Sequence, residues 1–301
     1  MPRAYAILDV FTTKPLEGNP LAVVTGADDL SDTAMQKIAA EFNLSETIFL
    51  CQPSNDRHTA KARIFTPVHE LPFAGHPTVG GAIHLAHSLW PGAGKREGIV
   101  VLEEGIGTVR VGVRLTNDDA YAEFDVPKQP AALGGAVDPD LAAAALGLTP
   151  REIGFENHKP TRYGFAGGAS FDFLPVRDLS VLRRISVDRR TFDKAFGETG
   201  HAHVYCRETL SRDHAFHARS FAPAAGIEED PATGSASAAM AGPILQFDQP
   251  VAGSYEYILE QGDIMGRPSR IRLEIDVDGG GAHAIRIGGH AVVVAEGTLA
   301  V

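Results

Sequence analysis

Two stretches of this 301-residue chain echo each other across half its length. The first is RIFTPVHELPFAGHPTVGGAIH, from Arg63. The second is RSFAPAAGIEEDPATGSASAAM, from Arg219. Both run Arg-x-Phe-x-Pro, then a loop with an acid, then a glycine-bearing turn, then a helix of small residues. Self-similarity at that distance predicts two copies of one domain. Each copy feeds a strand through a tight turn into a helix N-terminus, which carries free backbone N–H groups and a partial positive charge. Two such termini facing each other across a cleft would hold a carboxylate without lysine or arginine. Gly75 and Gly234 would let that ligand approach the backbone closely.

The remaining pattern reads as α+β. AYAILDVFT and LAVVTGA are predicted strands, joined by a turn at Gly18 to Pro20. LSDTAMQKIAAEFNLSE is a predicted helix with Ser31 or Asp32 at its cap and Met35, Ile38, Ala39 and Phe42 on one face. HPTVGGAIHLAHSLW is a second helix, with Pro77 near its first turn. A composition break at residues 128–139, KQPAALGGAVDP, predicts a domain boundary. Beyond it come a short helix DLAAAALG and strands FDFLPV, HAHVYCRE and HAFHARSFAP. RIRLEIDVD, HAIRIGG and AVVVAEGTLAV end the chain as strands, the first two joined by a turn at Gly279 to Gly281. Strands outnumber helices without a sustained βαβ rhythm, which argues against a doubly wound sheet.

Composition excludes several function classes. The formal net charge is -11 with no basic stripe, so nucleic acid is not an expected partner. No apolar stretch reaches the roughly 20 residues of a membrane span, and the apolar run at the N-terminus is too short for a signal sequence. A cytoplasmic protein is expected. The two cysteines, Cys51 and Cys206, form no CxxC pair. His84 and His87, three apart on one helix, read as packing or surface residues. PGAGKREG lacks the P-loop spacing, and no GxGxxG opens a helix after a strand. No nucleotide, metal or organic cofactor is expected.

The stretches GNPLAVV, NLSETIFL, RIFTPVHELPFAGHPT, EEDPATGSA and QGDIMGRPSR occur in this order. Together they resemble the PhzF-like phenazine-biosynthesis family of the diaminopimelate-epimerase fold, over about residues 8 to 298. The resemblance implies two pseudo-symmetric domains, each a mixed barrel-like sheet around a central helix, with a site in the cleft between them. With the boundary at the composition break, the domains are expected at 1–128 and 129–289, and the resemblance implies a last strand at about 290–301 returning to the first domain, and a homodimer. It places the catalytic acid/base at Glu46, with Ser45 beside it among the substrate-binding residues. It matches the glycine–histidine pair to Gly75 and His76, the aspartate to Asp230, and the glycine–serine turn to Gly234 and Ser235. Related epimerases of this fold carry a cysteine in each helix turn, and neither Cys51 nor Cys206 falls there.

Each residue also has a plainer reading. Glu46 is otherwise a surface acid, yet a carboxyl in an apolar cleft binds a proton more readily, which suits a group that must take and return one. His76 either caps a turn or bonds a substrate hydroxyl and helps move a proton. Asp230 either caps the helix after Pro231 or binds a substrate amino group. Ser235 either fills a helix terminus or offers its N–H and hydroxyl to a carboxylate. The expected function is an isomerase shifting a proton on a small carboxylate-bearing substrate of dihydro-hydroxyanthranilate type. The alternatives are an amino-acid epimerase or racemase, and a catalytically silent small-molecule-binding homologue.

Overall fold

Seven strands of the first half and the last strand of the chain pair in a ring. The computed structural model describes residues 2–135, 137–279 and 281–301. Ala136 in the expected boundary and Gly280 in the expected C-terminal turn lie outside the described residues. The chain divides into two compact units: residues 1–127 with 267–270 and 286–301, and residues 128–266 with 271–285.

In the first unit β1 (Arg3–Val10) runs antiparallel to β2 (Asn19–Thr25). Helix α1 (Asp32–Phe42) leads to β3 (Glu46–Cys51), parallel to β2. β4 (Ala60–Phe65) is antiparallel to β3 and takes the two-residue β5 (Glu70–Leu71). Helix α2 (Gly75–Leu89) then leads to β6 (Arg96–Glu104), parallel to β4. β7 (Gly107–Leu115) and β8 (Ala120–Asp125) follow antiparallel. The C-terminal strand Gly281–Leu299 closes the ring, pairing with β8 through residues 286–290 and with β1 through residues 291–299. A closed mixed barrel leaves no edge.

Helix α2 packs against β1, β2, β3, β6, β7 and β8, which a helix can do only from inside the ring. This explains its small residues. A Cβ at Gly80 would stand 2.6 Å from Leu21 Cδ2, and one at Gly81 would stand 2.8 Å from Ile48 Cδ1. Ser31 caps α1, its side chain accepting from Ala34 N, and Met35, Ile38 and Ala39 bury its inner face outside the barrel wall.

The second unit repeats this order. β9 (Ala131–Ala132) and α3 (Pro139–Ala145) precede β10 (Thr161–Gly164), which is antiparallel to β11 (Ser170–Pro175). Helices α4 (Leu179–Arg183) and α5 (Arg189–Phe196) stand where α1 stands and lead to β12 (Ala202–Cys206), parallel to β11. β13 (Phe216–Ala222) is antiparallel to β12 and takes β14 (Ile227–Asp230). Then come α6 (Gly234–Ala239), α7 (Ala241–Pro243) and a π-helical turn at Ile244–Asp248. β15 (Gly253–Gln261) pairs parallel with β13, as β6 does with β4, and β16 (Ser269–Asp278) follows. The fold is α+β, two pseudo-symmetric units of the diaminopimelate-epimerase type.

The sequence echo has a physical content. Thr47 faces Phe65 across the β3–β4 ladder, and Ala202 faces Phe221 across β12–β13. In that register Arg63 and Arg219 correspond. Arg63 clamps Glu70 through Nε and Nη2 at 2.8 and 2.6 Å and lies over the Phe65 ring. Arg219 clamps Glu229 at 2.8 and 2.7 Å and lies over Phe221. A fork-to-fork pair over an aromatic face fixes the short return strand before each helix turn.

Two sequence expectations shift. Asn19 and Pro20 belong to β2, so the β1–β2 connection is residues 11–18 rather than a Gly-Asn-Pro turn. The two last expected strands are one, Gly281–Leu299. Helices α4 and α5 were not among the sequence expectations.

Candidate functional site

In the first unit Glu46 opens β3, where the barrel wall begins, and its side chain reaches the first turn of α2. Glu46 Oε2 lies 3.1 Å from His76 Nδ1, and Asn19 Nδ2 lies 3.4 Å from the same nitrogen. His76 is buried, and burial alone pushes its imidazole down to about 3. The ring is therefore neutral near pH 7, and its contact with Glu46 is not an ion pair. His76 Nε2 meets no hydrogen-bond partner among the described residues. Gly75 and His76 are the first two residues of α2, with Ala74 at the cap making no side-chain cap bond. Their N–H groups have no intrahelical acceptor by the geometry of a helix start. Ser45, half-buried, precedes Glu46.

Asn19 lies in GNPLAVV, where no local pattern gives it a role. Its placement depends on the β1–β2 connection. Arg267 donates from Nε to Gly18 O at 2.7 Å and from Nη2 to Glu17 O at 2.8 Å, and it also pairs with Asp9. Gly18 sits at φ 69°, and a Cβ there would meet Val10 O at 2.3 Å. The RPSR stretch thus holds the loop that delivers Asn19 to His76.

In the second unit Asp230 ends β14 and is buried. Its Oδ2 accepts from Thr233 Oγ1 at 2.6 Å. The helix starts at Gly234, so the cap position is Thr233 and not Asp230, and Thr233 makes no side-chain cap bond. Gln261 fastens this turn: Nε2 donates to Asp230 O at 2.7 Å and to Thr233 Oγ1 at 3.0 Å, while Oε1 accepts from Thr233 N at 3.2 Å. Gly234 is buried and Ser235 half-buried.

The thiols stand apart from these turns. Cys51 and Cys206 occupy the same ladder position in the two units, at the far ends of β3 and β12. Burial pushes both up, Cys206 to about 12, so they rest as thiols. Among the described residues His217, Glu260 and Asp263 bring metal-ligating atoms together. Both Glu260 oxygens are already hydrogen-bonded, one to His214 and one to His217 Nδ1, so the group reads as structural.

A second histidine shares the state of His76. His203 on β12 is fully buried, neither ring nitrogen has a partner among the described residues, and burial pushes it down to about 3. At its ladder position the first unit has Ile48. An unfolded histidine takes a proton near pH 6.5, while these two do not until about 3. Their contribution is complete above 6.5 and is lost as pH falls toward 3. His203→Ile is expected to shrink the stability lost between pH 7 and 4 by about 3 kcal/mol. Urea unfolding of both proteins at the two pH values checks it.

Taken together, a closed mixed barrel around α2, a second unit that repeats its order of elements and a carboxyl–imidazole contact at one helix turn describe this α+β scaffold. A family model described as phenazine biosynthesis-like protein matches residues 8–297. An uncharacterized isomerase of Mesorhizobium japonicum is 50% identical over 99% of this chain and 98% of its own. The trans-2,3-dihydro-3-hydroxyanthranilate isomerase of Pseudomonas aeruginosa is 34% identical over 97% of this chain and 98% of its own. The crystal structure of a PhzF-family phenazine biosynthesis protein of Bacillus anthracis superposes with TM-score 0.88 at 25% identity, covering 100% of both chains. The chain belongs to the PhzF, or phenazine biosynthesis-like, family of isomerases. Among the described residues no helix is long and apolar enough to cross a membrane.

Proposed function

We propose that this isomerase moves a proton, without a cofactor, on a small carboxylate-bearing ring of dihydro-hydroxyanthranilate type. Glu46 takes a proton from one ring carbon and returns it to another on the same face. The observation that carries this is the 3.1 Å contact of Glu46 with His76, a buried neutral imidazole. A neutral ring serves both states of Glu46. It donates from Nδ1 to the carboxylate, and after tautomer exchange it accepts at Nδ1 from the carboxylic acid. A cationic ring would instead hold Glu46 ionised. His76 Nε2, unpartnered among the described residues, is left for a substrate hydroxyl.

In this reading the helix-start N–H groups, at Gly75–His76 in the first unit and at Gly234–Ser235 in the second, are the candidate carboxylate binders. Ser45 and Asp230 position the substrate's hydroxyl and amino groups. Asp230 supports a substrate role because the cap position belongs to Thr233. The relative that is 34% identical acts, by its name, on trans-2,3-dihydro-3-hydroxyanthranilate, and that compound is the first substrate to try. The enzyme would work as a cytoplasmic homodimer.

The test is turnover of that compound in deuterated water. The expected result is product with solvent deuterium at the receiving carbon, without added metal or nucleotide. Neither turnover nor exchange at any ring carbon would sink the reading for this substrate class.

A further inference from the structure

We infer that Glu104 is a positioning residue of the proposed proton-transfer site: as a neutral carboxylic acid it donates to Thr78, and so fixes the turn of α2 that carries Gly75 and His76. This rests on the reading above for its catalytic meaning. The geometry is a matter of counting hydrogens. Thr78 Oγ1 lies 2.7 Å from Ala74 O and 2.8 Å from Glu104 Oε1. The hydroxyl has one proton, and a carbonyl oxygen can only accept. That proton goes to Ala74 O, so the bond to Glu104 needs a proton from Glu104. With Glu104 ionised, Thr78 must turn its proton to the carboxylate. Its oxygen then faces Ala74 O at 2.7 Å with nothing between them.

Two further observations agree. Glu104 Oε2 is buried with no partner among the described residues, and burial pushes the acid up to about 8. The second unit also does the same job with a group that cannot ionise. Glu103 stands beside Lys61 on the β4–β6 ladder, and Glu260 stands beside His217 on the matching β13–β15 ladder. The next residues are Glu104 and Gln261. Gln261 holds Thr233 and Asp230 ahead of α6, as Glu104 holds Thr78 within α2.

Few other groups face Glu104. Helix α2 presents Thr78 and, in the same turn, His76, which lies against Glu46. β7 places Gly107 opposite it, and the segment before α2 places Pro72 against Gly105. Glu103 on its own strand is engaged by Ser54, Asn55 and His58.

The experiment compares wild type with Glu104→Gln and Glu104→Ala. One readout is kcat against pH on trans-2,3-dihydro-3-hydroxyanthranilate. The other is the pH dependence of the His76 ring signals by NMR, which needs no turnover. At pH 7 Glu104→Gln should stay within about threefold of wild type, and Glu104→Ala should fall at least tenfold. Between pH 7 and 9.5 wild-type kcat should fall at least fivefold and Glu104→Gln should stay flat. The His76 signals should move near pH 8 in wild type and not in Glu104→Gln. Signals that move alike in both proteins, or not at all in wild type, would overturn the proposal. So would Glu104→Ala at wild-type kcat. If no protein turns the compound over, the substrate reading fails and the His76 titration still decides the role of Glu104.

Discussion

Glu46→Gln is expected to lower kcat on a dihydro-hydroxyanthranilate substrate about 10³-fold, within the range for removing a positioned acid/base group. The glutamine amide keeps the size of the carboxyl and its approach to His76 Nδ1, so KM and the unfolding temperature should change little. What it removes is the capacity to carry a proton from one carbon to another. Solvent-deuterium incorporation is the direct measure, because it follows the proton and not product formation alone. Wild-type exchange in Glu46→Gln would transfer the proton-carrying role to another group. His76 could not simply replace it. With its pKa near 3 the ring is a poor base at neutral pH, and it relays or orients more readily than it abstracts.

The fold was legible because its repeat is carried by side chains that do the same mechanical task twice. Arg63 with Glu70 and Arg219 with Glu229 are the same clamp on the same short return strand, and Arg-x-Phe-x-Pro is its sequence trace. The small residues of HPTVGG were legible as tight packing, and the barrel around α2 gives the reason. Other features were hidden for physical reasons. Asn19 acquires a role only because Arg267 binds Gly18 across 249 residues of sequence, which no local pattern announces. Glu104 reads locally as one of two adjacent acids in an alternating strand. Alternation says that Glu103 and Glu104 face opposite sides, but not which side is a barrel interior. Only closure of the ring makes one of them a loop anchor and the other a buried acid.

Those anchors supply the second large effect. Glu260→Ala is expected to destabilise the protein by about 3–5 kcal/mol at pH 7, the usual result of deleting one side of a buried charged network. Glu260 is fully buried and accepts from Leu210 N at 2.8 Å, Ser211 N at 2.9 Å, His214 Nδ1 at 2.6 Å and His217 Nδ1 at 2.8 Å. Burial pushes this carboxyl up, but the hydrogen bonds from His217, Leu210, Ser211 and His214 outweigh it and hold the acid at about 2. Alanine would leave these four donors without their acceptor, the His217 ring among them fully buried. Glu103 ties the matching loop in the first unit through Ser54 N, Asn55 N and His58, but its side chain is 17% exposed. Water can replace it there, so Glu103→Ala should cost clearly less. The pH dependence separates this from a packing defect. Because the folded pKa lies below the unfolded 4.5, the Glu260 contribution is complete above about pH 4.5 and is lost as pH falls toward 2. The gap between wild type and Glu260→Ala, measured by chemical unfolding, should therefore hold steady from pH 7 to 5 and narrow below it. A gap that persists unchanged at pH 2.5 would mean that the side chain stabilises by filling space and not by its charge.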